Sequence, residues 1–141
     1  YGIMGLAKAL DLAYANIDQD VSYIRDLKFY MIKKLRETFS EVQFNGDAEG
    51  ESLYTVLNVC LPEMDKKEML LFNLDIEGVA VSGGSACSSG SNIGSHVLTA
   101  IGSNPNRPSI RFSFSRNNNK EEIDYAVSKL KSIYELPLIT K

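Results

Sequence analysis

Two residues in this chain have the type and setting to do chemistry, Cys87 and Arg111. Cys87 stands in the stretch Ser82-Gly83-Gly84-Ser85-Ala86-Cys87-Ser88-Ser89-Gly90-Ser91-Asn92-Ile93-Gly94-Ser95, where six of fourteen residues are serine and four are glycine. Such a composition predicts a solvated, mobile loop over residues 82–94, because glycine relaxes backbone sterics and serine adds no bulk. A cysteine chosen for packing sits on an apolar strand or helix. One carried by a loop can reach out, as a nucleophilic thiol must, although a surface thiol in a linker would read the same way. Arg111 lies in Ser109-Ile110-Arg111-Phe112-Ser113-Phe114-Ser115. Alternation puts Ile110, Phe112 and Phe114 on one face of a strand and Arg111 with short serines on the other. Its guanidinium there is either solvent-facing or ion-paired, or a fork that holds a substrate carboxylate through two parallel hydrogen bonds.

The elements that must position these residues follow from periodicity and punctuation. Apolar residues at Ile17, Val21, Ile24, Leu27, Met31, Leu35 and Phe39 predict helix from about Met4 to Phe39. Asp18-Gln19-Asp20 is a candidate break within it. Val42-Gln43-Phe44 reads as a short strand closed by Asn45-Gly46-Asp47, and Ser52–Leu61 as the clearest strand, ended by Pro62. Asp65 is a plausible cap for a helix over 66–74 that buries Met69, Leu70 and Phe72. Val79–Val81 reads as a strand entering the cysteine loop. Ser95 caps a short helix beginning at His96 and stopped by Gly102. The last helix begins near Asn119–Lys120 and turns Ile123, Ala126, Val127, Leu130 and Ile133 inward. A short turn between the early strands favours an α+β fold, a small antiparallel (mixed) sheet with helices packed on one face.

With 141 residues the chain fits one domain, spanning 1–141, with enough length for a real core. A net charge of -3 gives no global attraction to nucleic acid or to an anionic membrane. Arg25, Lys28, Lys33, Lys34 and Arg36 fall at helical spacing and read as a solvated helix face. Two cysteines in unlike settings, Cys60 in a strand and Cys87 in the loop, do not suggest a disulfide scaffold, and a reducing cytoplasm is the simplest home. Two separated cysteines and one histidine make no metal site, and no Gly-Lys-Ser/Thr phosphate loop is present. His96 reads as a helix-start residue more readily than as a base for Cys87. The opening Tyr1-Gly2-Ile3-Met4-Gly5, with no initiator methionine, reads as a piece of a longer polypeptide or as a cloning remnant.

Gly78-Val79-Ala80-Val81-Ser82-Gly83-Gly84-Ser85-Ala86-Cys87-Ser88-Ser89-Gly90, followed by Ser95-His96-Val97-Leu98, closely resembles the active-site loop of NifS/IscS-type cysteine desulfurases. These are pyridoxal-phosphate enzymes of the class V aminotransferase group, with the type I fold. Ser109-Ile110-Arg111-Phe112-Ser113-Phe114-Ser115-Arg116, then Glu121-Glu122-Ile123-Asp124-Tyr125, is similar to the same family's C-terminal strand and helix. Leu57-Asn58-Val59 and Gly50-Glu51-Ser52-Leu53 fit as well. The resemblance implies that Cys87 is the catalytic thiol that takes sulfur from L-cysteine as a persulfide, leaving L-alanine. It implies that Arg111 binds the substrate's α-carboxylate, and that the loop hands the persulfide to an acceptor or scaffold protein, for iron–sulfur cluster assembly or thiolation. Full-length relatives are expected to be homodimers.

Departures from the family pattern are also visible. Gly83 stands where serine is usual, Ile93-Gly94 replaces a usual Glu-Pro, and the turn at Ser103–Pro108 is short. The family's Schiff-base lysine follows a histidine, but His96 is followed by Val97. The resemblance therefore implies the small C-terminal domain alone, with no residue of this chain binding pyridoxal phosphate and no activity from the chain in isolation. Two other readings stand beside a desulfurase: a selenocysteine lyase or related class V enzyme, and a non-catalytic persulfide carrier. Turnover of cysteine against selenocysteine by the intact protein separates the first, and the length of the gene upstream of Tyr1 separates the second.

Overall fold

The structure is a computed structural model that describes residues 1–83 and 95–135. In chain order the elements are α1 (Gly2–Thr38), β1 (Gln43–Phe44), β2 (Val56–Cys60), a 3-10 turn (Lys67–Met69) leading into α2 (Leu70–Ile76), α3 (His96–Ala100), β3 (Ser109–Ser113) and α4 (Lys120–Glu135). The strands form one antiparallel sheet in the order β1-β2-β3, with Leu57 opposite Phe112, Asn58 opposite Arg111 and Val59 opposite Ile110. Helices cover one face, so the α+β reading holds. Leu57, Val59, Ile110 and Phe112 point into the core and meet Ile24, Leu27, Met31 and Leu35 of α1 and Ile123, Val127 and Leu130 of α4. The alternation read for β3 and the inward stripe read for α4 are both present.

Polar contacts fix how the helices sit. Tyr30 Oη donates to both carboxylate oxygens of Asp124 at 2.9 and 3.0 Å, and Lys34 Nζ reaches the same group at 3.1 Å. The Lys34 hydrogen bond, then that of Tyr30, holds the Asp124 carboxyl below the usual carboxylate range. Phe39 and Tyr134 meet edge to face with centroids 5.1 Å apart, a favoured aromatic geometry. At the start of α4, Glu122 N–H donates to Asn119 Oδ1 and Asn119 N–H to a Glu122 carboxylate oxygen, at 2.9 and 3.2 Å. This reciprocal cap sets the boundary expected at Asn119–Lys120.

Several expectations are corrected. Asp18-Gln19-Asp20 does not interrupt α1, which runs unbroken for 37 residues. Aspartate and glutamine lower helix propensity only slightly and, unlike proline, remove no backbone donor. Core contact begins only near Ile24, and Ile17 is exposed, as are Ile3, Met4, Leu6 and Leu10. Lys28 does not belong to a solvated face. It is 3% exposed, and its ammonium donates to Ser52 Oγ at 2.8 Å and to the Leu53 carbonyl at 3.1 Å. Burial is the main reason its pKa is lowered.

The helix expected over 66–74 begins instead as a 3-10 turn, with no side-chain cap, and α2 extends to Ile76. It buries Leu70 and Leu74, while Met69 and Phe72 are exposed. Val79–Val81 is not a ladder strand. The end of α2 draws the chain back: Gly78 takes φ +75, which glycine adopts without strain, and Val79 N–H donates to the Leu74 carbonyl at 2.8 Å. Only at Ser82 does the segment reach β3.

Candidate functional site

The outer face of the sheet, away from the helices, carries the residues that alternation turns from the core. Arg111 occupies the middle of β3 and is exposed. Its edge of β3 is met by Ser82, the first residue of the serine-rich stretch. Arg111 N–H donates to the Ser82 carbonyl at 2.6 Å, and Ser82 N–H donates to the Arg111 carbonyl at 3.2 Å. The side chains repeat the contact, with Arg111 Nε donating to Ser82 Oγ at 3.1 Å. One residue of the loop root is thus bound three times to Arg111.

That geometry determines what the guanidinium can still do. With Nε engaged, the Nη1 and Nη2 groups remain, and neither meets a carboxylate among the described residues. The ion-paired alternative for Arg111 therefore finds no partner there. Arg36 is forked onto Glu49, Arg116 faces Asp20, and Arg107 donates to the carbonyls of Leu61 and Glu41. Arg111 is the arginine of the sheet, exposed, and its terminal nitrogens have no hydrogen-bond partner among the described residues, which leaves a planar fork matched to a carboxylate.

Beside it lies a polar row that composition did not single out. Asn58 is the cross-strand partner of Arg111. Asn45, the residue just after β1, donates through Nδ2 to Asn58 Oδ1 at 2.8 Å and to Ser109 Oγ at 3.2 Å, tying β2 and β3 to the end of β1. The signal was present in β2, where Asn58 is a polar residue between buried Leu57 and Val59. Its partners depend on register, which the sequence does not print.

Cys87 lies outside the described residues, as does most of the 82–94 stretch expected to be mobile. The two described ends of that stretch come together. Gly83 and Ser95 line one cavity of about 500 Å³, with Leu71, Leu98 and Ile110 among its apolar walls. A Cβ at Gly83 would stand 2.8 Å from Leu71 Cδ1, so Gly83, noted above as a departure from the family's serine, permits this close approach. Ser95 Oγ accepts from Leu98 N–H at 3.4 Å, the expected cap, and His96 is the exposed first residue of α3. Cys60 is 1% exposed in β2, the packed thiol its strand setting implied.

A cradle for pyridoxal phosphate is not found among the described residues. Buried Lys28 is committed to Ser52 and Leu53, while Lys34, Lys67 and Lys129 are held by Asp124, the Pro105 carbonyl and Glu77. No helix among the described residues is long and apolar enough to cross a membrane.

The comparisons agree with one another. The aminotransferase class-V family model matches residues 1–126. The chain is 36% identical over 140 residues to a cysteine desulfurase IscS of Dictyoglomus turgidum, covering 95% of this chain and 34% of that protein. It is 39% identical over 135 residues to a putative cysteine desulfurase, IscS 1, of Bacillus subtilis, covering 94% and 35%. Among solved structures, a NifS-like protein superposes with a TM-score of 0.77 at 25% identity, over 95% of this chain and 33% of the other. A NifS-like protein from Rickettsia africae gives 0.71 at 25% identity, over 89% and 32%. The chain spans about a third of the length of these relatives.

Proposed function

The chain belongs to the aminotransferase class-V family, and from that premise we propose that it is the small, substrate-facing domain of a cysteine desulfurase. In this reading Cys87 is the nucleophile and Arg111 the carboxylate clamp. The observation that carries it is the triple contact between Arg111 and Ser82. Cys87 lies five positions beyond Ser82, so chain geometry keeps its Cα within about 18 Å of the clamp's anchor. A fork for the substrate's carboxylate and the start of the segment that carries the thiol thus meet at one edge of β3.

The division of labour follows. Arg111 orients L-cysteine through its carboxylate. The Cys87 thiolate forms a sulfur–sulfur bond to the substrate as the substrate's carbon–sulfur bond breaks. The electron pair goes to the carbon side, which gains a proton and leaves as L-alanine. Pyridoxal phosphate, when bound in the intact enzyme, would supply the electron sink. The described residues do not fit that cofactor, and we assign it to the two thirds of the relatives' length that this chain does not span. The exposed apolar residues Ile3, Leu6 and Leu10 of α1 are surface of the kind that packs against further protein. A sulfur-acceptor protein, a homodimeric intact enzyme and a cytoplasmic setting complete the proposal. Free, buried Cys60 suits the last of these.

The test is a pair of substitutions in the intact enzyme. Cys87→Ser should abolish sulfide release from cysteine under a reductant, because a hydroxyl is a far weaker nucleophile toward sulfur. Cys60→Ser should keep turnover per folded molecule while lowering Tm, since it buries a hydroxyl in a packed strand. Equal loss of turnover in both variants would remove the assignment.

A further inference from the structure

We propose that Asn58 is a second substrate-positioning residue, whose side-chain N–H2 donates to the same carboxylate that Arg111 holds. The inference rests on the reading of Arg111 as a carboxylate clamp. Asn58 and Arg111 are direct partners in the β2–β3 ladder. Their Cβ atoms therefore lie about 4.5–5.5 Å apart on one face. In such a pair the neutral solution is for the amide oxygen to accept from the guanidinium. The protein does not take it. Asn58 Oδ1 instead accepts from Asn45 Nδ2 at 2.8 Å, which turns the Nδ2 end away from Asn45.

Asn58 Nδ2 has no acceptor among the described residues, and the terminal nitrogens of Arg111 have none either. Two sets of donors thus stand on neighbouring strand positions with no acceptor from the described residues between them. Adjacent N–H dipoles of the same sense oppose each other unless an acceptor with several lone pairs lies across them. A carboxylate offers two oxygens and about four lone-pair sites, enough for the fork and the amide together. Asn45 acts through Asn58: it is a positioning residue that selects which end of the amide faces outward.

The experiment uses the intact enzyme, with KM and kcat for L-cysteine and inhibition constants for L-alanine and for ethylamine, which lacks the carboxylate. Asn58→Ala should raise KM and the L-alanine constant about tenfold, the loss of one hydrogen bond to a charged group. It should leave kcat within about twofold, as expected for a contact made equally before and during reaction. Ethylamine inhibition should not move. Asn45→Ala keeps the Asn58 donor but frees its amide to turn, and should raise KM by about threefold, less than Asn58→Ala, because the bound carboxylate can turn the amide back. Equal effects of the two variants, or a matching shift for ethylamine, would mean that Asn58 only braces the sheet and would overturn the proposal. Arg111→Lys run in parallel separates the two layers. If it weakens L-alanine while Asn58→Ala does not, only the role of Asn58 falls. If it leaves L-alanine unaffected, the clamp itself falls.

Discussion

Replacing Arg111 by lysine keeps one positive charge at mid-β3 and removes the planar fork. In the folded protein the guanidinium spends Nε on Ser82 Oγ at 3.1 Å and keeps its two terminal nitrogens. A lysine ammonium there can approach one carboxylate oxygen as a point charge, but it cannot make two parallel bonds. The loss is about one hydrogen bond to a charged group, about 1.5–3 kcal/mol of transition-state stabilisation. That corresponds to roughly one to two factors of ten in kcat/KM for L-cysteine. Ser82→Ala is the graded companion. It removes only the Nε anchor and leaves both backbone hydrogen bonds to Arg111, so the expected fall is about two- to tenfold, from about 0.5–1.5 kcal/mol. Alanine release by the intact enzyme is the assay, with Tm measured on the same samples. Arg111 is exposed and makes one side-chain bond among the described residues, so its substitution should leave stability within about 0.5 kcal/mol. A kcat/KM within about twofold of the parent, or a lowered Tm with turnover preserved, would refute the clamp.

Two further outcomes concern the frame that holds the site. Leu35→Ala removes a side chain with 0% exposure and should cost about 2–5 kcal/mol in denaturant unfolding, while Leu6→Ala, at 63% exposure in this chain, should fall within about 0.5 kcal/mol. Similar losses at both positions would mean that the first turns of α1 pack like the rest. The Asp124 carboxyl has a folded pKa held below its usual value of 3.8 by Lys34 and Tyr30. Its stabilising effect is therefore fully present above pH 3.8 and is lost as pH falls through the lower folded value. The stability gap between the parent and Asp124→Asn should be constant near neutrality and should shrink below about pH 4, and a gap independent of pH would remove that linkage.

What could be read in advance was whatever depends on one element at a time. Alternation in Ser109–Ser115 separated Arg111 from Ile110 and Phe112, and helical spacing found all five inward residues of α4. The setting of Cys60 inside a strand marked it as packed. What could not be read depends on two segments meeting. Lys28 looks solvated until Ser52 and Leu53, more than twenty positions away, close over it. Asn58 gains meaning only from the register that places it opposite Arg111 and from Asn45 just after β1. Val79–Val81 has the composition of a strand, but the hydrogen bond from Val79 to Leu74 claims the chain first. Apolar spacing in α1 predicts a stripe without saying how much of it is covered.

Helix α1 joins two thermodynamic regimes in one continuous rod. From Ile24 to Leu35 it is clamped by the core, whereas its first four turns carry only exposed side chains apart from half-buried Asn16. A free helix of that length is marginal in water, because the first hydrogen-bonded turn must be ordered before any bond repays it. Here the buried half supplies that turn, and the exposed half only propagates from it. Amide protection along the isolated chain should therefore fall as a gradient, highest near Met31 and declining toward Gly2. In an isolated chain the far end of α1 is a segment whose helicity is borrowed, and its order is set by residues about 33 Å along the same axis.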